Sequence, residues 1–92
     1  MATVIIPTPL RKFTNQTAKL QVDAETVGEI IERITLDYPD LKKHLLDQHG
    51  ALRSFVNVFA GDEDIRDLQQ AETPVTAATV VSIVPAIAGG NQ

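Results

Sequence analysis

Very few side chains in this sequence could perform chemistry. The chain has 92 residues and no cysteine, which excludes disulfides, thiolate metal sites and an internal thiol nucleophile. Its two histidines, His44 and His49, do not have the spacing of a standard metal-binding pair. Asp47 lies near His49, but no serine or cysteine nucleophile and no oxyanion-hole signature accompanies them. We therefore expect neither a metal site nor hydrolase chemistry.

An acidic run follows the middle of the chain. Asp62, Glu63 and Asp64 resemble the start of a calcium-binding loop, but the other ligand positions and the closing glutamate are missing. The run therefore indicates a solvated acidic turn. Such a turn could also be the patch that a basic partner recognises.

The carboxyl-terminal end of the chain, "VSIVPAIAGGNQ", carries the most unusual pattern. After Ile87 it contains no charge and no large side chain before Gly89-Gly90. Fully extended, residues 86–90 would reach roughly 15 Å, enough to carry a terminal carboxylate into the active site of a neighbouring enzyme. Glycine has no Cβ to obstruct an enzyme that closes around it. The alternative is an end of the chain without function, as termini often are.

Composition and charge limit the classes of protein to which this chain could belong. Hydrophobic residues make up 43% and charged residues 22%, which is typical of one globular domain. The net charge of −4 argues against nucleic acid as a partner, because phosphate binding needs clustered Lys and Arg. The amino terminus lacks the pattern of a signal peptide, and the uncharged stretch 73–92 is interrupted by Pro and Gly. We expect a cytoplasmic protein without a membrane span.

The first half of the chain predicts a β-hairpin followed by helices. Thr3–Pro7 and Ala18–Val22 have the composition of strands, joined through polar residues 13–17. Thr26 and Glu29 form a capping box at the start of the clearest helix, which Pro39 ends. A second short helix, capped by Asp40, follows. One apolar stripe runs along the main helix, formed by Val27, Ile30, Ile31, Ile34 and Tyr38.

Two details of the helices lead to further expectations. Gly28 weakens the first turn of the main helix, and we expect it where the helix crosses the sheet. In the second helix, Leu41, Leu45 and Leu46 are expected to face inward.

The second half predicts the rest of a sheet. Arg53–Ala60 alternates, with the aromatic residues and Asn57 on one face and the valines on the other. A turn leads to a short strand, residues 68–79 form a loop, and Thr79–Pro85 is apolar throughout, as in a central strand. The order predicts an α+β fold, a β-grasp roll in which one main helix crosses a mixed sheet of four to five strands. The domain is expected over residues 1–85, and residues 86–92 form a tail.

Three aromatic residues could belong either to the core or to a docking patch. Phe13, Phe55 and Phe59 are the only phenylalanines, and we expect at least one of Phe55 and Phe59 in the core. Aromatic side chains left on the open face of the sheet would form a docking patch. The sequence leaves both possibilities open for each residue.

Three segments together resemble a known family. "IPTPLRKFT" after the first strand, "RSFVNVFAGDEDIR" in the middle and "VSIVPAIAGG" at the end are similar to the ubiquitin-like sulfur carriers of the MoaD/ThiS group. The likeness is greatest to the CysO type, which serves cysteine synthesis. It covers nearly the whole chain and implies a carrier rather than an enzyme.

The resemblance implies a role for each residue of the tail. Gly90 would carry the sulfur as a thiocarboxylate, and Gly89, which has no side chain, would keep the tail narrow next to it. The segment that enters partner enzymes would be formed by Ala86, Ile87 and Ala88. An E1-like adenylyltransferase would activate Gly90 with ATP, and the carrier itself would bind no cofactor. An internal thiol could attack the activated acyl group, which accounts for the lack of cysteine. Possible docking residues are Phe13, Phe55, Phe59, Asp62, Glu63, Asp64 and Arg66.

The sequence departs from the family at Asn91 and Gln92. Because these residues are joined to Gly90, the encoded chain has no free carboxylate there. The resemblance implies removal by a JAMM-type metallopeptidase. A sulfur-accepting synthase of the cysteine synthase type would then receive the sulfur. The alternatives are a carrier for molybdopterin or thiamin synthesis, or a ubiquitin-like interaction module without carrier chemistry.

Overall fold

The computed structural model describes residues 1–85, which form a five-stranded mixed sheet with two α-helices packed against it. The predicted tail, residues 86–92, lies outside the described residues. The strands are β1 (Ala2–Ile5), β2 (Lys19–Val22), β3 (Val56–Ala60), β4 (Glu63–Asp64) and β5 (Val80–Pro85). The helices are α1 (Val27–Asp37) and α2 (Pro39–Leu45), with short 3₁₀ helices at Thr8–Phe13, Ile65–Asp67 and Gln70–Glu72.

The sheet has the strand order β2-β1-β5-β3-β4. Strand β5 lies at its centre, parallel to β1 on one side and antiparallel to β3 on the other. The outer pairs, β1 with β2 and β3 with β4, are antiparallel. The prediction of a central last strand beside the first is confirmed, and the architecture is the predicted β-grasp.

Helix α1 begins as the sequence predicts. The Thr26 hydroxyl accepts a hydrogen bond from the Glu29 N–H at 3.2 Å, and the Glu29 carboxylate accepts one from the Glu25 N–H at 2.9 Å. These bonds satisfy donors that the first turn of a helix leaves free. The apolar stripe of α1 is buried against the sheet, except that Tyr38, just beyond the helix, is half-buried.

The core lies between the helices and one face of the sheet. It receives alternate residues of each long strand, among them Val4, Val58, Val81 and Ile83, all nearly or fully buried. Burying one such side chain stabilises the fold by roughly 1.5–3 kcal/mol. Because successive strand residues point to opposite faces, the other residues of these strands must face away from the helices.

The second helix differs from the prediction at its start. It begins at Pro39, and Tyr38 occupies the cap position without a side-chain hydrogen bond. Asp40 therefore lies inside the first turn, and its predicted role as the cap is wrong. Proline suits this position because the N–H that it lacks has no partner in a first turn. Leu41 and Leu45 are buried as expected, and Leu46 is half-buried.

Strand β3 starts three residues later than predicted. The Val56 N–H donates to the Arg53 carbonyl at 3.0 Å, which closes a turn where the alternating pattern predicted strand. Phe55 lies in this turn. Periodicity alone could not find the turn, because Arg53–Phe55 continue the same alternation.

The segment predicted as a loop, residues 68–79, contains a 3₁₀ helix that packs on α1. A Cβ built on Gly28 would lie 3.0 Å from the Ala71 carbonyl oxygen and 3.2 Å from the Ala71 Cβ. Gly28 is therefore small because α1 meets this segment, and the expectation that it contacts the sheet is wrong. Val75 and Thr73 are also buried, so the segment closes one side of the core.

This contact predicts the effect of Gly28→Ala on stability. Alanine favours a helix by up to about 1 kcal/mol over glycine, but overpacking against backbone costs about 1–3 kcal/mol. We expect the free energy of unfolding, measured by urea denaturation, to fall by about 1 kcal/mol. Glu32→Ala, at an exposed position of the same helix, is the control and should change little. A Gly28→Ala variant as stable as the parent would show that the contact with Ala71 does not constrain the helix.

Candidate functional site

The face of the sheet that the helices leave uncovered is a surface available to a partner. It is called the open face here and is formed by alternate residues of four strands: Thr3, Ile5, Lys19, Gln21, Asn57, Phe59, Val80, Ser82 and Val84. The register places Ser82 between Ile5 and Phe59, so β5 runs along the middle of this face. The same strand ends at Pro85, where the tail begins.

Apolar side chains of β5 are exposed both at its start and next to the tail. Val80 is 43% and Val84 45% exposed, and Phe55, next to the start of β3, is 44% exposed. Val84 lies opposite Asn57, and Pro85 lies opposite Val56. Exposed apolar residues on a strand that otherwise lies in the core suit a surface that a partner covers.

Neither Phe55 nor Phe59 is in the core, and the expectation that at least one of them would be buried is wrong. Phe55 is exposed and Phe59 is half-buried on the open face. The core face of β3 is filled instead by Val56 and Val58, which are 2% and 1% exposed. Since side chains alternate along a strand, burying the valines turns Phe59 to the open face.

Phe13 has a different environment from the other two phenylalanines. It lies at the end of the first 3₁₀ helix, half-buried against the core. Its ring stacks on His44 of α2, with the ring centroids 4.3 Å apart, and the Lys12 ammonium lies 5.2 Å from its centroid. Phe13 thus holds the β1–β2 connection to α2, and its proposed role in docking stays a prediction.

Some residues of the acidic turn are exposed to solvent, and others form hydrogen bonds within the protein. Asp62 and Glu63 are exposed. Asp64 caps the 3₁₀ helix Ile65–Asp67 by accepting a hydrogen bond from the Arg66 N–H at 2.8 Å. The Arg66 guanidinium donates to the Asn57 side chain and to the carbonyls of Ser54 and Val56. Asp62 and Glu63 can therefore meet a partner freely, whereas Arg66 is already bound within the protein.

The histidines and Asp47 serve local structure. An Asp47 oxygen accepts hydrogen bonds from the N–H groups of Ala51 and His49, and these bonds hold the pKa of Asp47 below its usual value. Within residues 1–85, no group of three or more histidine or acidic side chains could hold a metal ion. In the same range no helix is long and apolar enough to cross a membrane.

Sequence reasoning missed Val80 and Val84 as surface residues. Strand β5 was predicted as central because it is apolar throughout, and that prediction is correct. A single layer of helices covers only one face of the sheet, however, so every second residue of an entirely apolar strand remains exposed. The signal was therefore present in the alternation of residues 80, 82 and 84.

The predicted tail residues cannot be compared with the structure. Ala86, Ile87, Ala88, Gly89, Gly90, Asn91 and Gln92 all lie outside the described residues. The structure describes the chain up to Pro85, which pairs with Val56 at the end of the sheet. It therefore defines the point from which the tail leaves.

Comparisons with known proteins cover nearly the whole chain. The ThiS family model matches residues 4–90. The sulfur carrier protein CysO of Mycobacterium tuberculosis is 34% identical over 90 residues, which are 96% of this chain and 97% of that protein. A putative sulfur carrier protein of Archaeoglobus fulgidus is 36% identical over 74 residues, 77% of this chain and 83% of that protein.

Solved structures agree with these relatives. The crystal structure of the Amycolatopsis orientalis BexX/CysO complex contains a chain that is 34% identical, with a TM-score of 0.88 over 98% of this chain and 100% of that chain. The resemblance drawn from the three sequence segments is thus confirmed. With a matching β-grasp fold and a family match that includes Gly89 and Gly90, the chain belongs to the ThiS family.

Proposed function

We propose that this protein is a sulfur carrier that bears sulfur on Gly90 as a thiocarboxylate and supplies it for cysteine synthesis. One observation carries the proposal: the family match extends through the tail and ends at Gly90, five residues after the last described residue of the central strand. Relatives named as sulfur carriers match across nearly the same length. The protein acts in this view as a substrate of other enzymes in the cytoplasm and binds no cofactor.

The chemistry requires only a free carboxylate at Gly90. A carboxylate oxygen attacks the α-phosphorus of ATP in an E1-like adenylyltransferase, and pyrophosphate leaves. Sulfide then attacks the acyl carbon of the adenylate and displaces AMP, leaving sulfur in place of one oxygen. A sulfur-accepting synthase takes this sulfur in turn. The absence of cysteine from the chain means that no internal thiol competes with sulfide for the activated acyl carbon.

The position of β5 supports a tail that works at a distance. Residues 86–90 could reach roughly 15 Å when extended, so Gly90 can enter a partner's active site while the domain stays outside. Strand β5 is the central strand of the sheet, and its last residues, Val84 and Pro85, pair with β3, so the root of the tail is attached to the sheet. An enzyme that binds the open face would then receive the tail in a defined direction.

The open face is the surface that we propose for docking. Its exposed residue Val84 borders the tail, whereas Val80 lies at the other end of β5, near the exposed acidic residues Asp62 and Glu63. A partner with an apolar patch flanked by basic residues would fit this combination. The crystal structure of the Amycolatopsis orientalis BexX/CysO complex contains a chain similar to this one in a complex with another protein.

Asn91 and Gln92 must be removed before Gly90 can react. Asn91 is joined to Gly90 by a peptide bond and is followed by Gln92, and the family match stops before both residues. We therefore propose that a JAMM-type metallopeptidase cuts after Gly90. The encoded chain is then a precursor, and its activation depends on that cut.

The direct test uses a version of the chain that ends at Gly90. Incubated with its adenylating enzyme, ATP and sulfide, it should gain about 16 Da, the mass difference between sulfur and oxygen. The unprocessed chain is the matched control and should gain nothing. A Gly90→Ala variant should react at least about tenfold more slowly, because its methyl group lies beside the reacting carbonyl. Its thermal unfolding should not change.

The outcome of this test separates the two classes of function. If the chain ending at Gly90 binds the adenylating enzyme but gains no mass, the interaction module without carrier chemistry would be the better description. If the unprocessed chain gains sulfur equally well, the chemistry does not take place at Gly90.

Processing is tested in the native host. Intact-mass measurement of the purified protein should find a species that ends at Gly90, and its share should rise when the cells must make cysteine. The reason is that only the cut form can be activated and used. Protein that keeps its full length under sulfur-demanding growth would contradict the proposed cut.

Docking through the open face is tested by adding a charge to it. Val84→Glu places a carboxylate among the exposed valines, and we expect the KM for the carrier in the adenylation reaction to rise about tenfold. Leu36→Glu is the matched control, because Leu36 is 73% exposed on α1, away from the open face. Equal KM values for the two folded variants would exclude the open face as the docking surface.

A further inference from the structure

The end of the sheet where the tail leaves has fewer strands than the rest. The pairing of β1 with β5 stops at Ser82, so Val84 and Pro85 have no partner on that side in the register. Strand β4 pairs with β3 only at Phe59 and Ala60. Within residues 1–85, the last two residues of β5 thus pair with β3 alone, and β3 has no second neighbouring strand beside Val56 and Asn57.

Arg66 occupies the place of the missing strand. Its guanidinium donates to the Ser54 carbonyl at 2.9 Å, the Val56 carbonyl at 3.1 Å and the Asn57 side-chain oxygen at 2.6 Å. The carbonyl of Val56 points away from β5, where the N–H of a further strand would otherwise donate a hydrogen bond to it. A planar group with several donors is suited to bind three acceptors along one strand edge.

The residues that Arg66 holds are those that pair with the root of the tail. The Gly61 N–H donates to the Val80 carbonyl at 2.8 Å, which sets the alternation of hydrogen-bonded pairs along β3 and β5. Asn57 and Val84 are then a hydrogen-bonded pair, whereas Val56 and Pro85 are not. Arg66 thus contacts Val56 and Asn57 on one side, and Val84 and Pro85 pair with them on the other.

The backbone of Arg66 is itself fixed. Asp64 accepts the Arg66 N–H at 2.8 Å, and the neighbouring Ile65 is 3% exposed and belongs to the core. The side chain therefore starts from a rigid position and needs little further ordering to reach β3. An arginine held in this way can stiffen the strand edge rather than follow its motion.

We propose that Arg66 is a positioning residue for the tail: it closes the free edge of β3 and so fixes the direction in which residues 86–90 leave the sheet. The expected effect on the reaction with a partner rests on the proposed function. A fixed root lowers the entropic cost of inserting the tail into the partner. It also revises the prediction of Arg66 as a docking residue, because its guanidinium acts within the protein.

Local stability is measured first, by amide hydrogen exchange of the folded protein. In Arg66→Ala, exchange of the Val84 N–H should become about tenfold faster, because its partner strand loses three hydrogen bonds at the edge. Exchange of the Ser82 N–H should change less than about threefold, because it lies opposite Phe59, which β4 supports. Arg66→Lys should lie between, since one ammonium cannot replace a fork of donors.

The functional consequence is measured with chains that end at Gly90. Arg66→Ala should raise the KM for the carrier in the adenylation reaction about fivefold and change kcat less than twofold, because the tail reacts normally once it is inserted. Arg33→Ala, at an exposed position on α1, is the control for loss of an arginine. Both variants are assayed well below their unfolding temperatures, so a difference in global stability does not affect the measured KM or kcat.

The results distinguish this proposal from the proposed function. Equal exchange rates for Val84 in the parent and in Arg66→Ala would overturn the positioning role, whether or not the protein carries sulfur. Faster exchange with an unchanged KM would confine Arg66 to stability and also overturn it. If exchange is faster but even the parent chain gains no sulfur, the proposed function fails while the effect of Arg66 on the sheet edge stands.

Discussion

The pairing of β5 with β1 and β3 is the interaction on which the rest of the structure depends. Within residues 1–85, β1 is the first element and β5 the last, and their pairing brings these two elements together. Its core-facing residues Val81 and Ile83 are buried under the helices, and its other residues lie on the open face. One strand therefore contributes to the core, belongs to the face that we propose for docking and leads into the tail.

The end of the sheet where the tail leaves has fewer strand-to-strand hydrogen bonds than its middle. Strand β5 pairs with β3 up to Pro85 but loses its β1 neighbour before Val84, so its last two residues have a strand on one side only within residues 1–85. The remaining contact with β3 is strengthened by a side chain rather than by another strand. A side chain can complete hydrogen bonding at an edge without offering the continuous row of backbone groups to which another chain could pair.

The sequence was most informative where a pattern reflects one physical requirement. The capping box, the apolar stripe of α1 and the entirely apolar last strand each predicted their elements correctly. The sequence was least informative where packing between residues far apart in the chain determines the structure. Gly28 faces Ala71, and no local signal near Gly28 identifies a contact more than forty positions away. The start of β3 was placed too early because its turn keeps the alternation of the strand.

The candidate site also contains residues that the sequence identified and residues that only the structure identified. Residues of the tail were identified by a motif, whereas the exposure of Val80 and Val84 followed only from the fact that helices cover one face of the sheet. Arg66 illustrates the limit most clearly. Its charge in an acidic turn suggested a role in docking, but its three acceptors lie nine to twelve positions earlier in the chain.

The central claim is that sulfur resides on the carbonyl carbon of Gly90. Fragmentation of the carboxyl-terminal peptide by tandem mass spectrometry, on protein isolated from its native host, tests it most directly. The account predicts that the added sulfur is found only in fragments that contain Gly90 as the terminal residue. Sulfur on any other residue, or carboxyl-terminal peptides that all retain Asn91 and Gln92 without sulfur, would contradict it.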